Sequence, residues 1–130
     1  MRNSRNSSEM RQIRIIPDYC PAALGSVLIS MGNTQVICAV SSDKDVPDHA
    51  RKRGTGWLSA EYSLLPYSTG NRTPRPLVKR DGRSVEIQRL IARSLRGVID
   101  LSLMKDLSLI VDCDVLQADG GTRTAAITGA

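Results

Sequence analysis

The feature that most restricts how this chain can fold is one helical stripe lying between β-rich runs. Over residues 84–103, apolar side chains fall at Ile87, Leu90, Ile91, Leu95 and Val98. That is the i, i+3, i+4 spacing of an amphipathic helix. Ser84 reads as its N-cap, and Glu86 suits the positive first turn. The strand candidates are residues 13–16, GSVLISM (25–31), TQVICAV (34–40), GWLSAEYSLL (56–65) and LSLIVDCDVL (107–116). Gly32-Asn33 joins the second run to the third as a tight hairpin. The expected fold class is therefore α+β: a mixed sheet with the 84–103 helix packed on one face.

The intervening segments are polar. Residues 1–10 are expected to be loose, and residues 43–55, with Pro47 and Gly54, to form a loop. Residues 66–83, PYSTGNRTPRPLVKRDGR, form a second loop carrying Arg72, Arg75, Lys79, Arg80 and Arg83. A loop of this length in a compact domain is usually functional or disordered.

Composition narrows the function classes. The single histidine, His49, has no second histidine or cysteine cluster beside it, which disfavours a zinc site or a histidine-activated nucleophile. Metal chemistry would need carboxylates. Of the three cysteines, Cys38 and Cys113 lie in apolar runs as small hydrophobes, and no CxxC pair exists. A reducing, cytoplasmic location is expected. The N-terminus has no apolar signal stretch, and no run is long enough for a membrane span. The net charge of +5 suits a phosphate-rich partner such as nucleic acid, although it fits any basic protein equally well.

Chemistry concentrates at the end of the chain. After the last strand come Asp119-Gly120-Gly121-Thr122-Arg123-Thr124, then Ala125, Ala126 and Ile127, which read as the first turn of a helix. Glycines let backbone approach an anion, and free N–H groups at a helix start bind phosphate. Thr122 adds a hydroxyl and Arg123 a planar fork matched to phosphate oxygens. The pattern alone also fits a plain glycine turn with a solvated arginine. Arg83, just before the long helix, sits where a dipole favours anions, or is one more exposed arginine. The basic residues of the 66–83 loop could position an RNA backbone or simply face solvent. Asp112, Asp114 and Asp119 could hold Mg²⁺, or could pair with local arginines and cap turns.

GSVLISMGNTQVICAVSS, GTGWLSAEYSLLP, RSVEIQRLIARSLRGVIDL and IVDCDVLQADGGTRTAAITGA, in this order and spacing, resemble the RNase PH family of phosphorolytic exoribonucleases. The resemblance implies an RNase PH-like domain, a ribosomal-protein-like βαβ fold with a left-handed crossover. It implies one domain over residues 1–130, incomplete at its C-terminus. The implied activity is removal of nucleotides from the 3′ ends of RNA, notably tRNA precursors, with inorganic phosphate as co-substrate and nucleoside diphosphates as products. The phosphate-binding positions carried over are Arg83, Gly121, Thr122 and Arg123. Arg72, Arg75, Lys79 and Arg80 belong to the implied RNA-binding region. A divalent metal such as Mg²⁺ is implied for the complete enzyme. The family's aspartates for it follow the part matched here, so no metal ligand is assigned in this chain. A homo-oligomeric ring of dimers is also implied. The chain departs from the family at its start, RNSRNSSEM in place of an arginine-rich DGR segment. It also departs at Tyr67, where a basic residue is usual. The alternatives are a non-catalytic RNA-binding or ring-forming subunit, or an inactive remnant.

Overall fold

The computed structural model describes residues 5–75 and 81–130. Five strands form one mixed sheet: β1 (Ile13–Pro17), β2 (Gly25–Met31), β3 (Thr34–Asp43), β4 (Trp57–Leu64) and β5 (Ser108–Gln117). Their spatial order is β1-β2-β3-β5-β4, antiparallel throughout except for the parallel β4–β5 pair. Among the described residues, three helices accompany them: α1 (Asp48–Arg51), α2 (Gly82–Arg96) and α3 (Thr122–Gly129). The expected α+β class, with a helix packed on one sheet face, is what the chain adopts.

The strand alternation decides which face is covered. Ile29, Val36, Cys38, Leu58, Ala60, Tyr62, Val111, Cys113 and Val115 point to one side and are buried. Ile87, Ile91, Ala92 and Leu95 of α2 and Ala125 and Ala126 of α3 close over them. α2 lies on β4, and α3 lies on β3 and β2. The β2–β3 hairpin turns through Gly32 and Asn33, with Met31 opposite Thr34. Gly32 has φ +58°, as the first position of a type II′ turn requires.

Four expectations are corrected. The long helix stops at Arg96 and is capped at Gly97. Val98 therefore lies past its end and is 83% exposed, and a separate 3-10 turn covers Leu101–Met104. The N-cap of α2 is Asp81 and not Ser84, so Arg83 lies inside the first turn of the helix and not just before it. The Asp81 carboxylate accepts from the Ser84 N–H at 2.7 Å and from the Ser84 hydroxyl at 2.9 Å, satisfying an orphan donor with a negative charge at the positive helix end. Glu86 lies beyond the first turn. Within 43–55, residues Asp48–Arg51 form the short helix α1, which buries Ala50 and sets His49 edge-on against Trp57.

The two cysteines behave as expected of small hydrophobes. Cys38 and Cys113 are buried free thiols facing each other across the β3–β5 ladder. No helix among the described residues is long and apolar enough to cross a membrane.

Candidate anion-binding site

The helix α3 follows directly on β5 and packs against α2. The helix after β5 begins at Thr122, three residues earlier than Ala125, so Gly121 itself is the N-cap. Gly120 and Gly121 both take left-handed backbone, at φ +78° and +73°. A β-carbon at Gly121 would meet nothing within 4 Å, so glycine serves the backbone conformation there and not space. A left-handed residue followed by helical ones gathers successive N–H groups into a concave anion cradle. The N-cap supplies no side-chain acceptor for them. Ala125 N–H is the first to bond back, to Gly121 O at 3.0 Å.

The side chains of Thr122 and Arg123 point to different duties. Thr122 is 6% exposed, and its hydroxyl lies 2.8 Å from the buried Tyr62 hydroxyl on β4. Arg123 reaches across to α2, where its guanidinium pairs with the Glu86 carboxylate at 2.9 Å. Glu86, expected to serve the helix dipole, therefore bridges the two helices.

Tyr62 reports how charge gathers here. Burial pushes its phenol above the ordinary range. The Thr122 hydrogen bond, then the Arg83 and Arg123 guanidiniums, work against that push, while Asp81 adds to it. Both arginines thus act on this one buried hydroxyl electrostatically, Arg83 from α2 and Arg123 from α3. Sequence reasoning saw Tyr62 only as a strand residue. A buried tyrosine hydroxyl needs a partner, and that signal could have found it.

The loop's own position is held from behind. The Gly120 carbonyl accepts from the Thr34 hydroxyl at 2.6 Å and from Arg11 Nη1 at 3.0 Å. The Thr34 oxygen in turn accepts from Asp119 N–H at 3.0 Å, and Asn33 Nδ2 donates to the Asp119 carboxylate at 3.2 Å.

The other sequence candidates lie elsewhere. Arg72 and Arg75 are exposed in the turn that follows β4, while Lys79 and Arg80 lie outside the described residues. That turn is held by Thr73 N–H to Pro66 O (2.9 Å) and Ala118 N–H to Ser68 O (2.8 Å). Arg75 acts on Asp114, whose carboxyl is pushed up by burial and then by Glu61, with Arg75 opposing. Arg96, in the last turn of α2, stacks on Trp57 at 4.4 Å. Asp112 and Asp114 alternate with the core residues Val111, Cys113 and Val115, so they occupy the sheet face opposite α2 and α3. Asp119 is engaged by Asn33. Among the described residues, no group of three His, Cys, Asp or Glu side chains is placed to hold a metal ion. The carboxylates described here thus do not fit the implied divalent cation beside the anion cradle.

A mixed sheet with helices on one face and a cationic, glycine-rich loop at the start of a short helix defines an α+β domain with a candidate anion site. Comparison with known proteins makes that specific. The chain belongs to the 3′ exoribonuclease family, domain 1, whose pattern matches residues 9–130. It is 55% identical over 130 residues to the Ribonuclease PH of Dehalococcoides mccartyi, covering 98% of this chain and 54% of that protein. The chain thus spans about half the length of that relative. Its fold matches a chain of the Archaeoglobus fulgidus exosome solved with RNA bound to the active site, at 27% identity and TM-score 0.87, over 98% of this chain and 52% of that one. It also matches a chain of an archaeal exosome core, at 27% identity and TM-score 0.77, over 98% of this chain and 49% of that one.

Proposed function

We propose that the protein to which this chain belongs is a phosphorolytic 3′→5′ exoribonuclease, and that the cradle formed by Arg83, Gly121, Thr122 and Arg123 binds its inorganic phosphate. The observation that carries this reading is the left-handed Gly120–Gly121 pair that opens the N-terminus of α3, with Thr122 and Arg123 in its first turn. A phosphate oxygen attacks the phosphorus of the last phosphodiester. A new P–O bond forms, the bond to the preceding nucleotide's 3′ oxygen breaks, and that oxygen takes a proton. The terminal nucleotide leaves as a nucleoside diphosphate.

Phosphate and phosphodiester are both anions, and bringing them together is the physical problem. Fixed guanidiniums and N–H groups offset the repulsion without reorganising during the reaction, and they hold the nucleophile in line. The residues described here supply positioning and charge. They offer no ligand set for a divalent metal, so no step is assigned to one.

The substrates proposed are RNA 3′ ends, tRNA precursors among them, with Arg72, Arg75, Lys79 and Arg80 guiding the strand through phosphate contacts. The assembly proposed for the full-length protein is the homo-oligomeric ring of dimers that the family resemblance implies. Facing buried thiols that remain unpaired support a reducing, cytoplasmic setting. A purely structural subunit is less well supported, because it has no use for an intact anion cradle.

The test uses the full-length protein and a short RNA. Release of nucleoside diphosphates should require inorganic phosphate. Arg123→Ala should lower phosphate-dependent turnover at least a hundredfold while shifting stability by less than about 0.5 kcal/mol, as for an exposed side chain. Wild-type rates for this variant, or nucleotide release without phosphate, refute the reading.

A further inference from the structure

Arg11 and Thr34 lie outside every phosphate-binding motif, yet both grip the backbone that forms the cradle. Thr34 is fully buried at the start of β3 and uses its hydroxyl in both directions, donating to Gly120 O and accepting from Asp119 N–H. Arg11 approaches from the segment preceding β1. Its aliphatic stem lies over Gly32, with Cδ 3.3 Å from where a β-carbon would be, and its Nη1 donates to the same Gly120 carbonyl. Gly32 N–H closes the bracket on Gln12 O at 2.9 Å.

The consequence follows from peptide geometry. No cis bond occurs among the described residues, so the Gly120 carbonyl and the Gly121 N–H point in opposite directions. Two donors hold the carbonyl on the hairpin side, one of them cationic. The Gly121 N–H is therefore turned away from the hairpin, and the left-handed pair of glycines cannot swing to another pose without breaking both bonds. The Arg11 charge also polarises that peptide, strengthening its N–H as a donor.

We infer that Arg11 and Thr34 are positioning residues for phosphate: through the Gly120 carbonyl they aim the N–H groups of the Gly121–Arg123 cradle at the anion. This inference rests on the phosphate reading above, and its test separates the two. In the full-length protein, KM for inorganic phosphate and KM for RNA are measured separately for wild type, Thr34→Val, Thr34→Ser, Arg11→Met and Arg11→Lys, with a thermal melt of each. Thr34→Val should raise the phosphate KM about tenfold and Arg11→Met about fivefold, the factors expected of one lost hydrogen bond to a shared carbonyl. The KM for RNA should change less than about twofold, as expected of uniform binding left intact. Thr34→Ser, which keeps the hydroxyl, should restore the phosphate KM, and Arg11→Lys should restore it in part.

If Thr34→Val and Arg11→Met lower melting temperature or kcat but leave the phosphate KM at the wild-type value, the two residues are merely structural and the inference fails. Failure of Thr34→Ser to rescue overturns it as well. If the wild-type protein needs no phosphate, the phosphate reading fails and takes this inference with it. Phosphate-dependent wild-type turnover with unmoved variants sinks the positioning role alone.

Discussion

The Tyr62–Thr122 hydrogen bond joins the sheet to the cradle, and a double-mutant cycle measures it. Both hydroxyls are nearly inaccessible, Tyr62 at 3% and Thr122 at 6%, and they lie 2.8 Å apart. Tyr62→Phe removes one hydroxyl and strands the other; Thr122→Val does the reverse. Each single variant should cost about 1–2 kcal/mol, a lost bond plus an unpaired buried group. The double variant strands nothing, so its cost should fall short of the sum by about 1 kcal/mol. Urea unfolding of the four proteins, compared at a common m-value, gives the coupling. The pH dependence supplies a second readout. Because burial raises the Tyr62 pKa, the folded state holds a proton that the unfolded state has lost above about pH 10. Stability should then fall as pH rises past that point, and Tyr62→Phe should abolish this share of the fall. A coupling below about 0.3 kcal/mol, within ordinary additivity, refutes the claim that β4 braces the cradle through this bond.

Two other perturbations test neighbouring parts. Glu86→Gln removes the carboxylate that holds Arg123 and should lower the phosphate KM by up to about fivefold, the scale of a half-exposed ion pair; a raised KM would mean that Glu86 orients Arg123 productively. Asp81→Ala should destabilise α2 by about 1 kcal/mol in urea unfolding, as for a lost N-cap. Its hydrogen bonds to the Ser84 N–H and hydroxyl hold the Asp81 carboxyl below the usual carboxylate range. The difference from wild type should therefore be full above about pH 4 and disappear as acid protonates Asp81 in the folded state.

The sheet was legible because period-two runs and a Gly-Asn turn are local signals. Strands β2 and β5 lie within a residue of where periodicity puts them. The helix ends were less legible. Val98 continues the apolar spacing of α2, but Gly97 ends the helix, so the stripe outlasts the element that buries it. Ser84 and Asp81 are both good N-cap residues, and the tie is broken only by geometry: the Asp81 carboxylate takes both Ser84 donors. In the proposed cradle, Arg83, Gly121, Thr122 and Arg123 were open to naming from residue types that suit anions together with the family resemblance. Tyr62, Thr34, Arg11 and Glu86 were not, because their roles depend on contacts made across the sheet and between helices. Arg11 and Gly120 are 109 residues apart in sequence.

That separation has a physical meaning for the site. A glycine pair supplies the left-handed backbone the cradle needs, yet the same freedom would let it adopt many other poses. The fold removes this freedom from outside the loop. The β2–β3 hairpin contributes Asn33 and Thr34, the segment before β1 contributes Arg11 and β4 contributes Tyr62. The contacts fix three points: the Asp119 carboxylate, the Gly120 carbonyl, which Thr34 and Arg11 share, and the Thr122 hydroxyl. An anion arriving at the cradle then meets donors already ordered by the sheet, so little of its binding energy is spent on ordering them. The order of β1-β2-β3-β5-β4 makes this possible. It seats β5 between β3 and β4, so the loop leaving β5 passes the hairpin on one side and Tyr62 on the other.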